Sequence, residues 1–354
     1  MAGLLIILGI ESSCDETAAA VVEDGHRVMA SLVASQTEIH MPFGGVVPEV
    51  AAREHLRVID PLVQQALNEA GVKFADLDAV AITQGPGLIG ALLVGVAYAK
   101  GLALALGKPL IPVDHVHAHV HGALLGVEVA ARDLFPTLAL VVSGGHTNLY
   151  RMGSPTEFAL IASSIDDACG ECFDKVAKLL GLGYPGGAEI ERHAKGGNVK
   201  AVPMPRMVSE RARLEFSYSG LKTFVANVVA AEQAPISAAR RSDICASFQE
   251  EALGQLVRKL TEAVRRYPEA RSILVAGGVA ANQRLQELMR SSIALPAFFP
   301  ALRYCGDNAA MIAAYGYHLA RAAGDGNSWL ANADWDAYSR YDFGEGKELS
   351  PGSG

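Results

Sequence analysis

Cysteine is scarce in this sequence, and basic residues are outnumbered by acidic ones. Five cysteines, an odd number, are spread over 354 residues, which excludes a disulfide framework and fits a reducing compartment. The 30 basic and 38 acidic residues give a net charge of −8. The overall charge therefore does not indicate nucleic-acid binding, although a local basic surface could still serve.

Long hydrophobic runs and targeting signals are also missing. Apolar stretches such as LLIILGI and ALLVGVAYAKGLALAL are short or interrupted by Lys and Gly, so we predict no membrane span. The N-terminus lacks the basic start and small-residue cleavage site of a signal peptide, and we therefore expect a cytoplasmic protein. No G-x-x-x-x-G-K-[ST] segment is present, which excludes a P-loop in this chain.

The composition is that of a well-buried α/β protein, with 50% apolar and 19% charged residues. A chain of this length is long for one core, so two lobes are expected. Two series of segments follow the same order of strand, polar or glycine turn, strand, strand, and then helices with further strands. We predict an internally duplicated fold with two mixed-sheet lobes and a nucleotide cleft between them. The two series begin with LLIILGI, TAAAVVED and RVMASLVAS, and with TLALVVSGG, TNLYRMG and EFALIASS.

The predicted N-terminal lobe covers residues 1–130 and is completed by a helix at 306–323, and the C-terminal lobe covers 131–305. Residues 325–354 are rich in Gly, Asp and Ser. We expect this tail to be poorly ordered, because it has too little apolar surface to bury.

Three turns follow predicted strands, at GIESSCDET (9–17), VVSGGHT (141–147) and VAGGVAAN (275–282). Small residues there let backbone N–H groups approach an anion closely. One such turn is usually only a tight turn, but two of these three occupy matching places in a duplicated unit. Together they indicate a nucleotide phosphate site.

Two other motifs carry less weight. GPGLIG (85–90) matches G-x-G-x-x-G, but Pro86 removes a donor N–H, and three strands precede the place where a dinucleotide fold would begin. CGEC (169–172) has no second cysteine pair and no thioredoxin-like setting. We therefore read the first as a turn and the second as small apolar residues at the start of a helix.

Four histidines lie within seven residues in the segment VDHVHAHVHGAL (113–124). Asp114 follows the strand PLIPV and is a good N-cap, so the segment is predicted to be a helix. On a helix, His115 and His119 share one face, and His117 and His121 share the opposite one. A pair at this spacing begins a metal site that a carboxylate from elsewhere must complete.

Nine segments taken together resemble one family, the tRNA N6-adenosine threonylcarbamoyltransferases, formerly called O-sialoglycoprotein endopeptidases. The likeness covers about residues 5–320 and is of the bacterial type. It implies the duplicated fold shared by actin, Hsp70 and sugar kinases. In chain order the segments are LGIESSCDETAAAVV, GGVVPE, GPGLIGALLVG, HVHAH, LVVSGGHT, SIDDACGECFDKVAKLLGLGYPGG, FSYSGLKT, VAGGVAANQRL and YCGDNAAMIA.

The resemblance implies an enzyme that transfers a threonylcarbamoyl group from threonylcarbamoyl-AMP to N6 of adenosine 37, in tRNAs that read codons beginning with A. AMP is released. The implied cofactor is one divalent metal ion, ferrous iron or alternatively zinc, and the nucleotide ligand is threonylcarbamoyl-AMP, AMP or ATP. The implied partners are tRNA, a smaller paralogous subunit of the same fold and a P-loop ATPase.

The resemblance also places the site residues. It implies that His115, His119 and Asp307 are the metal ligands, which leaves His117 and His121 as histidines of the helix surface. Glu11 and Asp15 could support the phosphate loop or the metal. The implied substrate contacts are Val141, Val142, Ser143, Gly144, Gly145, Asp174, Gly187, Glu191 and Asn282.

Two other functions remain open from the residues alone. One is a metal-dependent glycoprotein endopeptidase, but Val116 stands where the H-E-x-x-H motif needs its glutamate. The other is an ATP-hydrolysing switch or kinase on the same fold, which would leave the histidine pair unexplained.

Overall fold

Two compact units make up the chain in the computed structural model, which describes residues 4–43, 45–127, 129–208, 214–232, 235–323 and 335–340. Unit 1 comprises Met1–Val129, Pro155–Glu157 and Ala301–Gly354, and unit 2 comprises Ala130–Ser154 and Phe158–Pro300. Within the predicted tail, residues 335–340 are described, and the rest of 325–354 lies outside the described residues.

Each unit contains three consecutive strands that are followed by helices and two further strands. Within the described residues the strands are β1 (Ile6–Glu11), β2 (Glu16–Glu23), β3 (Arg27–Ser35), β4 (Ala79–Gly85), β5 (Leu110–Asp114), β6 (Thr137–Val142), β7 (Thr147–Ser154), β8 (Glu157–Ser163), β9 (Ser272–Ala276) and β10 (Ala297–Phe298). The α-helices there are α1 (Thr37–His40), α2 (Pro48–Ala70), α3 (Ile89–Leu106), α4 (His115–Gly122), α5 (Ala131–Leu134), α6 (Cys169–Leu179), α7 (Gly186–Ala194), α8 (Ser219–Ala231), α9 (Ala238–Arg266), α10 (Gln283–Ser292) and α11 (Ala309–Ala322).

The sheet of unit 1 has the order β3-β2-β1-β4-β5. Strands β1, β2 and β3 form an antiparallel meander, while β4 and β5 run parallel to β1. Leu8 and Ile10 pack into a core that α2 and α3 complete with Ile59 and Val96. The opposite face lies against α11, where a side chain at Gly9 would collide with the Ala309 carbonyl. Because both faces are covered, β1 is a nearly continuous apolar run rather than an alternating one.

The sheet of unit 2 has the order β8-β7-β6-β9-β10. Strands β6 and β7 are antiparallel, β9 runs parallel to β6, and β10 runs parallel to β9. Both units therefore place their strands in the order third, second, first, fourth, fifth. The shared strand order confirms the predicted duplication and the predicted pair of mixed sheets.

Helix α3 is long and apolar enough to cross a membrane by length and composition alone. Its inner face packs in unit 1 through Leu92, Val96 and Ala99, all of which are buried. One such helix is weak evidence for a membrane span, because the core helix of a globular unit has the same composition.

Candidate functional site

The histidine segment is a helix, as predicted. Strand β5 ends at Asp114, whose carboxylate accepts the backbone N–H of His117 at 2.9 Å and so caps α4. An N-cap of this kind satisfies one of the N–H groups that the first helical turn leaves without a partner. The cap fixes where the helix begins, and hence which histidines share a face.

His115 and His119 lie one turn apart, with ring centroids separated by 4.7 Å. Asp307 approaches them from the segment before α11, which Asn308 caps by accepting the N–H of Met311. The Nε2 atoms of His115 and His119 lie 3.5 Å and 3.2 Å from Oδ1 of Asp307. One ligand atom from each of the three residues falls within 4.8 Å of the others.

This arrangement has the properties of a metal-ligand set. His119 is buried, yet within the described part of the chain neither of its ring nitrogens makes a hydrogen bond. A buried polar atom without a partner costs free energy, so such an atom usually has a ligand. Ligands bound at about 2.1 Å around one ion lie roughly 3.0–3.4 Å apart, close to the two distances measured to Asp307. The three residues therefore fit a divalent transition metal.

Glu11 lies behind the first histidine. Its Oε2 is 2.9 Å from Nδ1 of His115, and the Thr83 hydroxyl donates to the same oxygen at 2.7 Å. Its other oxygen accepts the N–H of Ser13 at 2.5 Å. A carboxylate behind a ligating imidazole fixes the tautomer and the orientation of the ring. Glu11, at the end of β1, is thus placed to orient His115 rather than to contact a phosphate.

Two carboxylates, those of Asp307 and Glu11, lie beside His115 and influence its pKa. Burial lowers the pKa of His115, but the carboxylates of Asp307 and Glu11 outweigh it and raise this pKa to about 9. Burial would raise the pKa of Glu11, yet the nearby His115 holds it below its usual range. Burial together with Asp307 and Asp15 raises the pKa of Glu16 to about 9. The pocket is therefore one that favours a bound positive charge.

The prediction that His117 and His121 lie on the helix surface is wrong. They are only 9% and 1% exposed, because α11 covers the face of α4 opposite the metal pair. The ring of His121 stacks on Tyr315 at 4.6 Å and lies 4.9 Å from the ring of His318. Its Nε2 is 3.0 Å from the Pro155 carbonyl. These two histidines are packing residues of the unit 1 interior.

The turn after β1 is more enclosed than the sequence predicted. Ser12 and Ser13 are buried, the Ser12 hydroxyl donates to the Ala91 carbonyl of α3, and the Ser13 carbonyl accepts the N–H of Leu88. Asp15 is half-buried at the end of this turn. Its carboxylate therefore stays a candidate for supporting the site.

The first glycine turn of unit 2 is open. Val141 and Val142 are buried in β6, whereas Gly144 and Gly145 are exposed and have nothing within 4 Å of where a Cβ would stand. The N–H of Ser143 donates to the His146 carbonyl at 2.8 Å, which closes the turn. The turn thus presents an accessible backbone, as an anion-binding nest requires.

Asp174 is hydrogen-bonded to the glycine turn that begins α7. The Gly186 N–H donates to Oδ1 of Asp174 at 2.8 Å, and Gly187 is also close enough to influence this carboxylate. Burial raises the pKa of Asp174, although the N–H groups of the two glycines lower it in part. The carboxylate is therefore anchored at the start of α7.

Glu191 and Asn282 meet at the start of α10. Oε1 of Glu191 accepts the N–H of Gln283 at 2.9 Å. The Asn282 side chain caps α10 by accepting the N–H of Leu285, and its amide donates to Gln249 at 2.9 Å. Both predicted substrate contacts therefore also have a structural role in the helix cap.

Sequence reasoning did not identify Thr83, Glu16 or Tyr338 near the metal-ligand set. Thr83 lies near the end of β4, the strand next to β1, and a hydroxyl at that position is a weak signal in the sequence. Tyr338 donates to Asp114 at 2.6 Å from a segment far along the chain, which no local pattern could indicate.

The chain matches a family model over most of its length. The model is described as tRNA N6-adenosine threonylcarbamoyltransferase and matches residues 27–314. The chain belongs to this family. The predictions of the family, of its transferase function and of an enzyme are confirmed.

Two relatives illustrate the similarity, and both are named tRNA N6-adenosine threonylcarbamoyltransferase. The relative from Syntrophobacter fumaroxidans is 50% identical over 345 residues, which cover 95% of this chain and 100% of the relative. The relative from Moorella thermoacetica is 52% identical over 320 residues, which cover 89% of this chain and 92% of the relative. The range matched by the family model, residues 27–314, contains His115, His119 and Asp307.

Solved structures show the same fold at low sequence identity. Component A of the (R)-2-hydroxyglutaryl-CoA dehydratase of Acidaminococcus fermentans has a TM-score of 0.53 at 14% identity, covering 90% of this chain and 99% of that one. Full-length HypF has a TM-score of 0.58 at 13% identity, covering 92% of this chain and 47% of that one. The predicted fold class, shared with actin, Hsp70 and sugar kinases, is confirmed.

Replacing Glu11 should weaken metal binding without removing a ligand. We expect Glu11→Ala to raise the Kd for ferrous iron about 10- to 100-fold, because outer-shell carboxylates orient ligating histidines. Glu11→Gln keeps the shape of the side chain and should cost less. Anaerobic titration of the metal-free protein measures both values. Glu23→Gln, at the far end of β2, is the control, and an unchanged Kd in Glu11→Ala would contradict the assignment.

The half-buried His318 of α11 should make stability depend on pH. Burial and, secondarily, His26 lower the pKa of His318 to about 4, so the unfolded chain binds this proton more readily. Its contribution to stability is complete above pH 6.5 and is lost as the pH falls towards 4. As the pH is lowered from 6.5 towards 4, the unfolding free energy measured by urea titration should decrease in both proteins. The decrease should be steeper in the wild type than in His318→Gln, by about 1 kcal/mol per pH unit. Parallel curves for the two proteins would show that His318 is not responsible.

Proposed function

We propose that the protein transfers the threonylcarbamoyl group of threonylcarbamoyl-AMP to N6 of adenosine 37 in tRNAs that read codons beginning with A. Family membership over most of the chain supports the reaction. The observation in the structure that supports it best is the convergence of His115, His119 and Asp307. We infer from this convergence that unit 1 holds the metal ion of the reaction.

The reaction needs no nucleophilic side chain, because the substrate is an activated mixed anhydride. The N6 amine attacks the carbamoyl carbon, and the bond between that carbon and the phosphate oxygen breaks. AMP leaves with the electron pair, and the proton from N6 is lost to solvent. Binding, orientation and stabilisation of negative charge are therefore what the protein must supply.

The metal-ligand set would hold ferrous iron, with zinc as the alternative. Two imidazoles and one carboxylate, with positions left for substrate, are a donor set typical of non-haem ferrous iron. A divalent ion held there would supply Lewis-acid polarisation of a substrate oxygen. Glu11 would hold the ring of His115 in place, and Asp15 would support the same part of unit 1.

Unit 2 would bind the nucleotide part of the substrate. The turn that follows Val141 and Val142 is closed by the Ser143 N–H. Its backbone is open at Gly144 and Gly145, whose N–H groups can stabilise negative charge on a phosphate. Asp174 could accept a hydroxyl hydrogen of the ribose, and Gly187 leaves room for close approach. Glu191 and Asn282 keep this region in place through the cap of α10.

The proposed partners are tRNA, a smaller paralogous subunit and a P-loop ATPase, and we place the reaction in the cytoplasm. The net charge of −8 favours a tRNA that is held partly by partners. Leu56 on α2 and Ile89 and Leu93 on α3 are 71%, 47% and 47% exposed. Gly90, between the last two, lies close to Ala52, one turn from Leu56. An exposed apolar surface of this kind suits a protein partner.

The alternatives are less well supported. A peptidase of the H-E-x-x-H type needs a glutamate after the first histidine, and position 116 is a valine that is fully buried. A kinase or ATP-hydrolysing switch would leave the three converging metal ligands without a role.

Nucleoside analysis tests the proposal. The protein is incubated with ATP, threonine, bicarbonate, tRNA and the two helper proteins, and the digested tRNA is examined by mass spectrometry. We expect threonylcarbamoyladenosine with the wild type and at least about a 100-fold loss of rate in His115→Ala and Asp307→Ala, since loss of a metal ligand removes Lewis-acid catalysis. His117→Gln, on the opposite face of α4, should stay active. No modified nucleoside in any combination would contradict the proposed function.

A further inference from the structure

Residues 335–340, which we call the C-terminal strap, contact residues of unit 1 that lie far earlier in the sequence. The Lys100 ammonium donates to the Trp335 carbonyl at 2.6 Å and lies 4.6 Å from the centroid of the Trp335 ring. Trp335 and Ala337 also pack against the apolar core that contains α2 and α3. The strap is thus fixed by both apolar and polar contacts.

The strap then follows the end of β4. The Gln84 side chain donates to the Asp336 carbonyl at 2.8 Å, and the Tyr338 N–H donates to the Gln84 carbonyl at 3.2 Å. The Gly87 N–H donates to the carbonyl of Ser339 at 3.3 Å. These bonds join the strap to the carboxyl end of β4 and to the turn that follows it.

Gly85, the first glycine of the GPG sequence, leaves room for the strap. A Cβ on Gly85 would collide with the Tyr338 carbonyl, so the strap can lie here only because position 85 has no side chain. The weak G-x-G-x-x-G match therefore marks a binding place for the protein's own C-terminal segment rather than for a dinucleotide.

Tyr338 of the strap contacts the helix that bears the proposed metal ligands. The Tyr338 hydroxyl donates to Oδ2 of Asp114 at 2.6 Å, while Oδ1 of the same carboxylate caps α4 by accepting the His117 N–H. A carboxylate held at both oxygens has less freedom to leave the helix end. The hydroxyl thus acts on the cap, and through it on the histidine that follows Asp114.

We propose that the C-terminal strap positions α4, with Tyr338 as a positioning residue that acts through Asp114. The strap restrains the first turn of the helix, and with it the orientation of His115. The effect on metal binding rests on the proposed metal site, whereas the restraint of the helix does not.

Hydrogen–deuterium exchange of the metal-free, full-length protein tests the restraint. We expect amides in the first turn of α4 to exchange about three- to tenfold faster in Tyr338→Phe, because a weakened cap lets the helix end open more often. Gly85→Ala, which displaces the whole strap, should give at least the same increase. Asp336→Asn, which keeps the backbone contact, and Gly101→Ala, at an exposed helix position with open space, are the controls.

Anaerobic titration with ferrous iron gives the second readout. Tyr338→Phe should raise the Kd about three- to tenfold, less than a change in the outer-shell Glu11 would, because Tyr338 lies one contact further from the ligands. The proposal is overturned if the amides of α4 exchange at the wild-type rate in Tyr338→Phe. It is also overturned if the wild type binds iron and Tyr338→Phe binds it with the same Kd. If the wild type binds no iron, the metal site itself is wrong, and the exchange rates alone decide whether the strap restrains the helix.

Discussion

The packing of α11 against β1 and α4 is the constraint on which the rest of the site depends. The helix lies so close to the sheet that position 9 must be glycine, since a side chain there would meet the Ala309 carbonyl. The same packing buries His117 and His121 and sets the start of α11, where Asn308 caps the helix. Asp307 immediately precedes this cap, so the packing of the two helices places the third residue of the proposed metal-ligand set.

Electrostatics explains why this place suits a cation. Glu11 is buried beside His115, and one oxygen of Asp307 lies 3.5 Å and 3.2 Å from Nε2 of His115 and of His119. Their carboxylates favour a positive charge on His115 despite its burial. A divalent ion would compete with that proton and satisfy the same carboxylates, while neutral imidazole is the form that ligates. The fold therefore supplies a preformed, negatively charged ligand set.

Much of this could be predicted from local sequence. Asp114 as a cap and the pairing of His115 with His119 follow from helix geometry, and the repeated order of strands follows from hydrophobic patterns. Short elements such as α1 and β10 were not predicted, because four and two residues are too few to show a period.

The remaining features depend on tertiary packing. No local pattern shows which distant carboxylate joins the histidines, and Asp307 was predicted only from the resemblance to the family. The burial of His117 requires α11 to be in place, and the role of Glu11 requires β1 to end beside α4. Gly85 matched a nucleotide motif in the sequence, whereas in the structure it accommodates residues 335–340.

The identity of the metal ligands is the central claim, and anomalous diffraction from crystals grown anaerobically with ferrous iron tests it most directly. We expect one peak at the iron edge, about 2.1 Å from Nε2 of His115 and of His119 and from a carboxylate oxygen of Asp307. A peak beside His117 and His121 instead, or no peak at the three residues in iron-saturated crystals, would contradict it.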